Sequence, residues 1–474
     1  MGQRAPRLSV LAIELFERPV VLRLPFRFGI VTLTTCPQAF ARVAIRTEGG
    51  VEAVGVAAEM MVPKWFDKNP ALGNDENVAQ LRDVLCLARE AYLGDTSSAT
   101  AFGHFARHYD AHLAACAARG HNPLLANYGP ALIDRAILDA LCRAQGADFY
   151  AAMRANLAGI GTARPEFAGF DFDAFLAGMA PAASIHARHT VGLVDAITAA
   201  DLGERVGDGL PETLEEVVAA HGHRYFKLKV GGDIAADLAR LEAIAGVLDA
   251  RADPYFATLD GNEQYPDASA VIELLAGMRA RPALARLVAS ILFVEQPIHR
   301  KAALEADFRA VPLGLPVIVD ESDGELDTFV RARGRGYTGV SSKTCKGLYK
   351  SVLNAARCAR WNAEEGGTRY FMSAEDLTTQ AGLAVQQDLA LVNLLGITHV
   401  ERNGHHYVNG MAAMPAHEQA AFLAAHPDVY ERSHGAVRVA IREGRIAIGS
   451  LACTGFASAA LPDFAAMQPI AECA

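Results

Sequence analysis

The sequence predicts an α/β fold, a closed barrel of the TIM type preceded by an α+β domain, and three observations carry that prediction. Short apolar, β-branched segments recur near residues 183–194, 224–230, 255–260, 290–296, 315–321, 338–343, 368–373 and 396–401. Helical stretches such as "DIAADLARLEAIAGVLDA" and "KGLYKSVLNAARCARWNAEE" lie between most of them, so strand and helix alternate at roughly 23–35 residues, the signature of βα units around a parallel sheet. No glycine-rich phosphate loop follows the first of these strands, which favours a closed barrel over an open nucleotide-binding sheet.

The elements follow in order. From about residue 7 to 59, strand-like runs ("SVLAIELF", "VVLRLPFRF", "FARVAIRTEGGVEAVGVAAE") alternate with turn signals, and Glu48-Gly49-Gly50 reads as a hairpin turn. Residues 75–158 are helical in pattern, as in "DENVAQLRDVLCLAREAYLG". The eight barrel strands come next. The tail "GAVRVAIREGRIAIGSLACTGF" returns to hairpin-like strands that are expected to rejoin the first domain.

Composition excludes several classes. The chain has 474 residues, half of them apolar, and a net charge of −10 from 54 acidic against 44 basic residues with no basic block. That argues against nucleic acid and against anionic membrane surfaces. Eight scattered cysteines (36, 86, 116, 142, 345, 358, 453 and 473) form no CxxC and fit a reduced, cytoplasmic setting. No export signal is read at the N-terminus, and no segment of about 18 uncharged apolar residues suggests a membrane span.

Three motifs are set aside. "GRGYTG" (334–339) follows a helix and precedes a strand, the reverse of a dinucleotide site, so its glycines are expected in a turn. "HGH" (221–223) precedes its strand, whereas catalytic barrel ligands follow theirs. His104, His108 and His112 share a helical face and are expected as an exposed polar stripe rather than a zinc site.

The chemistry is read at the strand ends. Strand two ends "FKLKV", with Lys227 and Lys229 aimed at one face. Strand three ends with Asp260 and Asn262, strand four with Glu295, strand five with Asp320 and Glu321, and strand six with Lys343 and Lys346. Five consecutive strands therefore end in charge where a barrel gathers its catalytic groups. Carboxylates on three adjacent strands repel one another without a cation, and hard oxygen ligands suit Mg²⁺, with Mn²⁺ the obvious substitute. Lys227 and Lys229 on one side and Lys343 opposite suit removal of a proton next to a carboxylate. A lysine of ordinary pKa about 10.4 must drop by roughly three units to act as a base near neutrality. Lys227, the metal and partial desolvation are expected to push Lys229 that way.

This order, Lys-x-Lys, Asp-x-Asn, Glu-Gln-Pro, Asp-Glu-Ser and then lysine, resembles the enolase superfamily, and more its muconate lactonizing enzyme branch than its mandelate racemase branch. The resemblance implies a (β/α)7β-like barrel with an α+β capping domain. Residues 1–165 would form the N-terminal part of the cap, 166–415 the barrel, and 416–474 a segment returning to the cap. It also implies Asp260, Glu295 and Asp320 as metal ligands, Lys229 and Lys343 as opposed acid and base, and Lys227 as support for Lys229, with a lysine base and Mg²⁺ acting together. Glu375, at the end of strand seven, falls where that branch can carry a substrate contact, and Asn262 is expected to help place the ligands. Glu321 is not counted as a ligand, because alternation turns it away from Asp320.

The two cap loops that set specificity in this superfamily match residues 24–34 and 60–70. There Arg27, Lys64 and Lys68 are expected to meet a second anionic group, and Phe28 and Trp65 to exclude water. "GLY" (347–349) replaces the usual double glycine, the cap is long, and "HVERNGHHYVNG" after strand eight is unusual. The expected activity is α-proton abstraction from a small carboxylate by a racemase, epimerase or cycloisomerase, with a dehydratase or lyase as the alternative. A non-catalytic metal-binding barrel would have lost one of the lysines or carboxylates. Barrels of this superfamily are often homo-oligomers, though no residue here demands it.

Overall fold

The computed structural model describes residues 5–28, 31–161, 165–311 and 313–470. The chain opens with an antiparallel sheet of β1 (Leu8–Phe28), β2 (Val31–Thr47) and β3 (Glu52–Met60). The turn expected at residues 48–50 joins β2 to β3, with Gly50 at a φ of 82° that disfavours any side chain. The strands expected at 9–16 and 20–28 are instead one continuous strand. Pro19 faces Pro37 across the ladder, so both missing amide donors fall on one rung and pairing continues on either side.

Helices Asn74–Gly94, Ala101–Ala118 and Tyr128–Ala144 follow. The last lies hard against β3 at Gly55, where a Cβ would stand only 2.1 Å from the Ala136 carbonyl oxygen. The histidine stripe is not exposed. His104 and His112 are buried, each with Nε2 2.9 Å from a carbonyl oxygen, of Leu8 and Ala126 respectively. They fasten helix Ala101–Ala118 to its neighbours, as buried polar groups must be satisfied.

All eight expected barrel strands are present: β4 (Ser184–Val191), β5 (Tyr225–Lys229), β6 (Phe256–Asp260), β7 (Ile291–Glu295), β8 (Val317–Val319), β9 (Gly339–Ser342), β10 (Phe371–Ala374) and β11 (His399–Arg402). They are parallel, in the order β10-β9-β8-β7-β6-β5-β4-β11, and the two ends approach each other, curling the sheet into a TIM-like barrel. "GRGYTG" is the turn between helix Thr328–Arg333 and β9.

The tail divides its attachments. β12 (Tyr430–Ser433) and β13 (Ala436–Val439) form a hairpin, and β14 (Arg445–Ala447) pairs antiparallel with barrel strand β4. Strand pairing with the first sheet comes last, where β15 (Gln468–Pro469) pairs with β1. A buried pair from Arg18 to Glu418, both bonds 3.0 Å, and the Phe456 amide on Asp139 Oδ1 at 2.6 Å add to that connection. No disulfide joins the seven described cysteines, and Cys473 lies outside the described residues. No described helix is long and apolar enough to cross a membrane.

Candidate active site

Strand alternation turns Arg188 and Thr190 of β4, Lys227 and Lys229 of β5, Asp260 of β6 and Glu295 of β7 into the barrel, while Phe226 and Leu228 pack outward. The ladder sets Lys229 opposite Asp260 and Asp260 opposite Glu295, so three strand ends present charge at one level.

Lys227 is the hub. Its Nζ lies 2.8 Å from Asp260 Oδ2, Glu295 Oε2 and Glu375 Oε2, and 2.9 Å from Glu401 Oε2. Burial opposes its charge, but the four carboxylates outweigh burial and hold its pKa well above the ordinary value. Lys229 Nζ sits 2.6 Å from Asp260 Oδ2. Across the mouth, Lys343 Nζ is 2.6 Å from Asp320 Oδ2 and 4.2 Å from the centre of the Trp65 ring. Burial again opposes the charge of Lys343 and Asp320 again prevails, so Lys343 stands as an ammonium. Lys346 supports the same carboxylate, 3.1 Å from Asp320 Oδ1. Gln296, at a φ of 32°, accepts the Asp320 amide at 2.8 Å and the Ser322 amide at 3.1 Å through Oε1, and so sets the direction of the Asp320 strand end.

Whether Mg²⁺ fits is decided by Glu295. Burial raises its pKa well above the carboxylate range, and Asp260 and Glu375 beside it raise it further. Its Oε2 has no aligned hydrogen bond, although Lys227 is close. A buried carboxylate crowded by its own kind and short of a partner suits a hard dication. Asp260, Glu295 and Asp320 are the carboxylates that would supply its oxygen donors. Asn262 fixes the first of them: its amide donates to Asp260 Oδ1 at 2.8 Å, from a φ of 41°.

Lys227, Lys229, Asn262, Lys343 and Glu401 line one cavity of about 20 Å³, roofed by Phe26, Phe28, Val62, Trp65 and Leu377. A larger open cleft of about 690 Å³ runs past Lys68, Arg300 and Glu321 but reaches none of those three lysines. It is the wider space because the roof is drawn over the site.

Four expected substrate contacts do not line the lysine cavity. Arg27 is exposed, since alternation at the end of β1 turns Phe26 and Phe28 inward in its place. Lys64 is spent on its own loop, donating to the carbonyls of Asn69 (2.8 Å) and Leu72. Glu375 has no oxygen to spare: Arg188 and Ser373 hold Oε1, and Lys227 holds Oε2. Lys68 likewise pairs with Glu263 at 2.5 Å. Phe28 and Trp65 line the roof as expected from their loops.

Glu401 and Arg188 were not read from the sequence. Glu401 obeys the same strand-end rule as its partners, on β11. Thr190 Oγ1 and Asn403 Nδ2 donate to its Oε1 at 2.6 and 3.0 Å. Arg188 lies mid-strand, where the rule gives no signal.

Fold and site together define a barrel enzyme with paired lysines and carboxylates at the strand ends. The chain belongs to the enolase C-terminal domain-like family, whose model matches residues 209–450. Its fold is that of mandelate racemase/muconate lactonizing enzyme-like members of the enolase superfamily. A muconate lactonizing enzyme from Mucobacterium Smegmatis, complexed with muconolactone, is 18% identical with a TM-score of 0.57, covering 96% of this chain and 97% of that one. A mandelate racemase/muconate lactonizing protein from Herpetosiphon aurantiacus is 16% identical with a TM-score of 0.58, covering 94% and 98%. An enolase superfamily member from Roseovarius nubinhibens ISM, complexed with magnesium, is 18% identical with a TM-score of 0.55, covering 98% and 99%. No curated protein matches in sequence. Members of this superfamily bind Mg²⁺, and membership makes the chain an isomerase or a lyase.

Proposed function

We propose that the chain removes the α-proton of a small carboxylate in a Mg²⁺-dependent racemisation, epimerisation or cycloisomerisation. The observation that carries this reading is the pair of lysines, Lys229 from β5 and Lys343 beyond β9, facing one cavity beside the carboxylates of Asp260, Glu295 and Asp320. Those three carboxylates would hold Mg²⁺, which supplies the positive charge that an enediolate needs. Lys229 takes the proton from one face of the α-carbon. Lys343, as the ammonium, returns a proton to the other face, which inverts the centre. Trp65, Phe26 and Phe28 keep water out while the carbanion-like species exists. The roof carries none of Arg27, Lys64 or Lys68 into the cavity, so the far end of the substrate is apolar rather than a second anion.

A lyase is the second reading, favoured by Lys343 lying 2.6 Å from Asp320 Oδ2, where an ammonium would protonate a leaving group. One experiment separates the two and tests both. Carboxylic acids are pooled in D₂O with enzyme and Mg²⁺, and the α-proton signal is followed by NMR. Exchange with the carbon skeleton intact supports the isomerase, and new vinyl or keto signals support the lyase. In Lys343→Ala, conversion to the inverted product is expected to fall by about 10²–10⁴-fold while Mg²⁺ still raises the melting temperature. Full conversion in that variant would sink the assignment.

A further inference from the structure

Five imidazoles that the barrel chemistry does not use converge on the outer side of β4 and β5. His189 lies on β4, His221 ends helix Leu214–His221, His223 leads into β5, and His405 and His406 sit in helix Gly404–Tyr407 just after β11. Ring centres are 5.4 Å apart for His189 and His223, 5.2 Å for His189 and His405, and 5.0 Å for His223 and His405. His221 and His406 flank them at 5.3 Å from His405 and 5.1 Å from His189. None of the five lines the lysine cavity.

From this juxtaposition we propose a second metal site, in which His189, His223 and His405 bind a zinc-class divalent cation, with the fourth position left to His221, His406 or water. The ligand nitrogens of the three lie within 4.8 Å of one another. His223 is fully buried, and its Nδ1 lies 3.0 Å from the Ala187 carbonyl oxygen. A carbonyl only accepts, so Nδ1 carries the proton and Nε2 presents a bare lone pair, which has no partner in the structure. A carbonyl that accepts from the far ring nitrogen, and so fixes the tautomer, is how metal-binding histidines are oriented. His189 Nδ1 and His405 Nε2 stand 3.2 Å apart, close to the edge of about 3.3 Å of a tetrahedron with Zn–N bonds near 2.0 Å. His405 Nδ1 and His406 Nδ1 are also without partners.

Burial holds all five rings below their ordinary pKa, His223 at about 3, with neighbouring imidazoles adding to it at His189, His223 and His405, Arg438 at His221, and Arg23 at His406, so they are in the neutral form a metal requires. The three-ligand set is all nitrogen and contains no carboxylate, which selects zinc, cobalt or nickel over Mg²⁺. Packing of neutral rings against one another accounts for the clustering but not for the bare, buried Nε2 of His223. The site joins the exit of β11 to the wall of β4 and the start of β5. A cation there would clamp the seam where the last barrel strand meets the first.

The test uses the full chain without any histidine tag, stripped by chelator and returned to buffer with excess Mg²⁺. Titration with Co²⁺ is expected to saturate at one equivalent with the strong visible absorption of a four-coordinate site. His405→Ala is expected to lose that spectrum, and Asp320→Asn, which damages the barrel mouth, to keep it. X-ray absorption on the Zn²⁺-loaded native chain should show three or more imidazoles at about 2.0 Å, and it decides the matter should the variant misfold. No stoichiometric uptake, an oxygen-only shell, or a spectrum lost in Asp320→Asn but retained in His405→Ala overturns the proposal.

Discussion

Lys227 shares one ammonium among four carboxylates from four strands, and the balance there is set by what else each carboxylate touches. At about 2.8 Å and an effective dielectric near 20, each contact attracts by roughly 6 kcal/mol, while burying each ion costs several. Arg188 takes part of Glu375, Lys229 takes part of Asp260, and Thr190 and Asn403 hold Glu401. Burial works against the charge of Glu401, yet Lys227, Lys229 and Lys343 outweigh it and hold its pKa well below the carboxylate range. Glu401→Gln is therefore expected to destabilise the chain by about 3 kcal/mol, read as a lower urea midpoint at neutral pH. An unchanged midpoint would mean that Glu401 is idle. The inward lysines and carboxylates were legible in the sequence because strand period is two and catalytic groups gather at strand ends. Arg27 and Lys64 misled because direction at a hairpin tip or in a loop depends on packing that no period encodes.

The roof loop after β3 is bonded within itself through Lys64 and fastened to the barrel near its middle. Arg300 donates to the carbonyls of Trp65 and Phe66, both at 2.9 Å, and pairs with Glu263 at 2.8 Å. Trp65 is thereby set over Lys343. Arg300→Ala is expected to speed hydrogen exchange across residues 61–73 and to lower kcat/KM by about 10²-fold, the cost of a misplaced group. Unaltered exchange would show that the strap is not Arg300. Burial raises the Glu263 pKa, but Arg300 and Lys68 outweigh it and bring it down to about 2. Its stabilising effect is thus present above the unfolded value of about 4.3 and is lost as the pH falls toward 2. The difference in melting temperature between wild type and Glu263→Gln should accordingly be largest at neutral pH and shrink between pH 4 and 2. The eight barrel strands were legible as elements from their apolar runs and helical spacers. The continuity of β1 was not, because a proline reads as a break until its partner across the ladder is known to be proline as well.

For the whole molecule, Mg²⁺ held at the barrel mouth as proposed would tie stability to the cation. A ligand bound only by the folded chain at 100 times its dissociation constant adds about 2.7 kcal/mol. Mg²⁺ should therefore raise the melting temperature of the native chain, EDTA should reverse the gain, and Asp320→Asn should show neither. A shift that persists in Asp320→Asn would move the cation elsewhere. The global path of the tail was the least legible level, since β14 and β15 are too short to announce their partners and reach opposite parts of the molecule.

The pairing of β15 with β1 also sets a timetable. Glu17 meets Gln468 and Arg18 meets Glu418, so β1 waits for partners at the far end of the chain. At ribosomal speeds of about 5–20 residues per second that wait lasts on the order of half a minute or longer. For that interval the nascent chain presents an open β edge, the kind of surface that chaperones cover and that aggregates recruit.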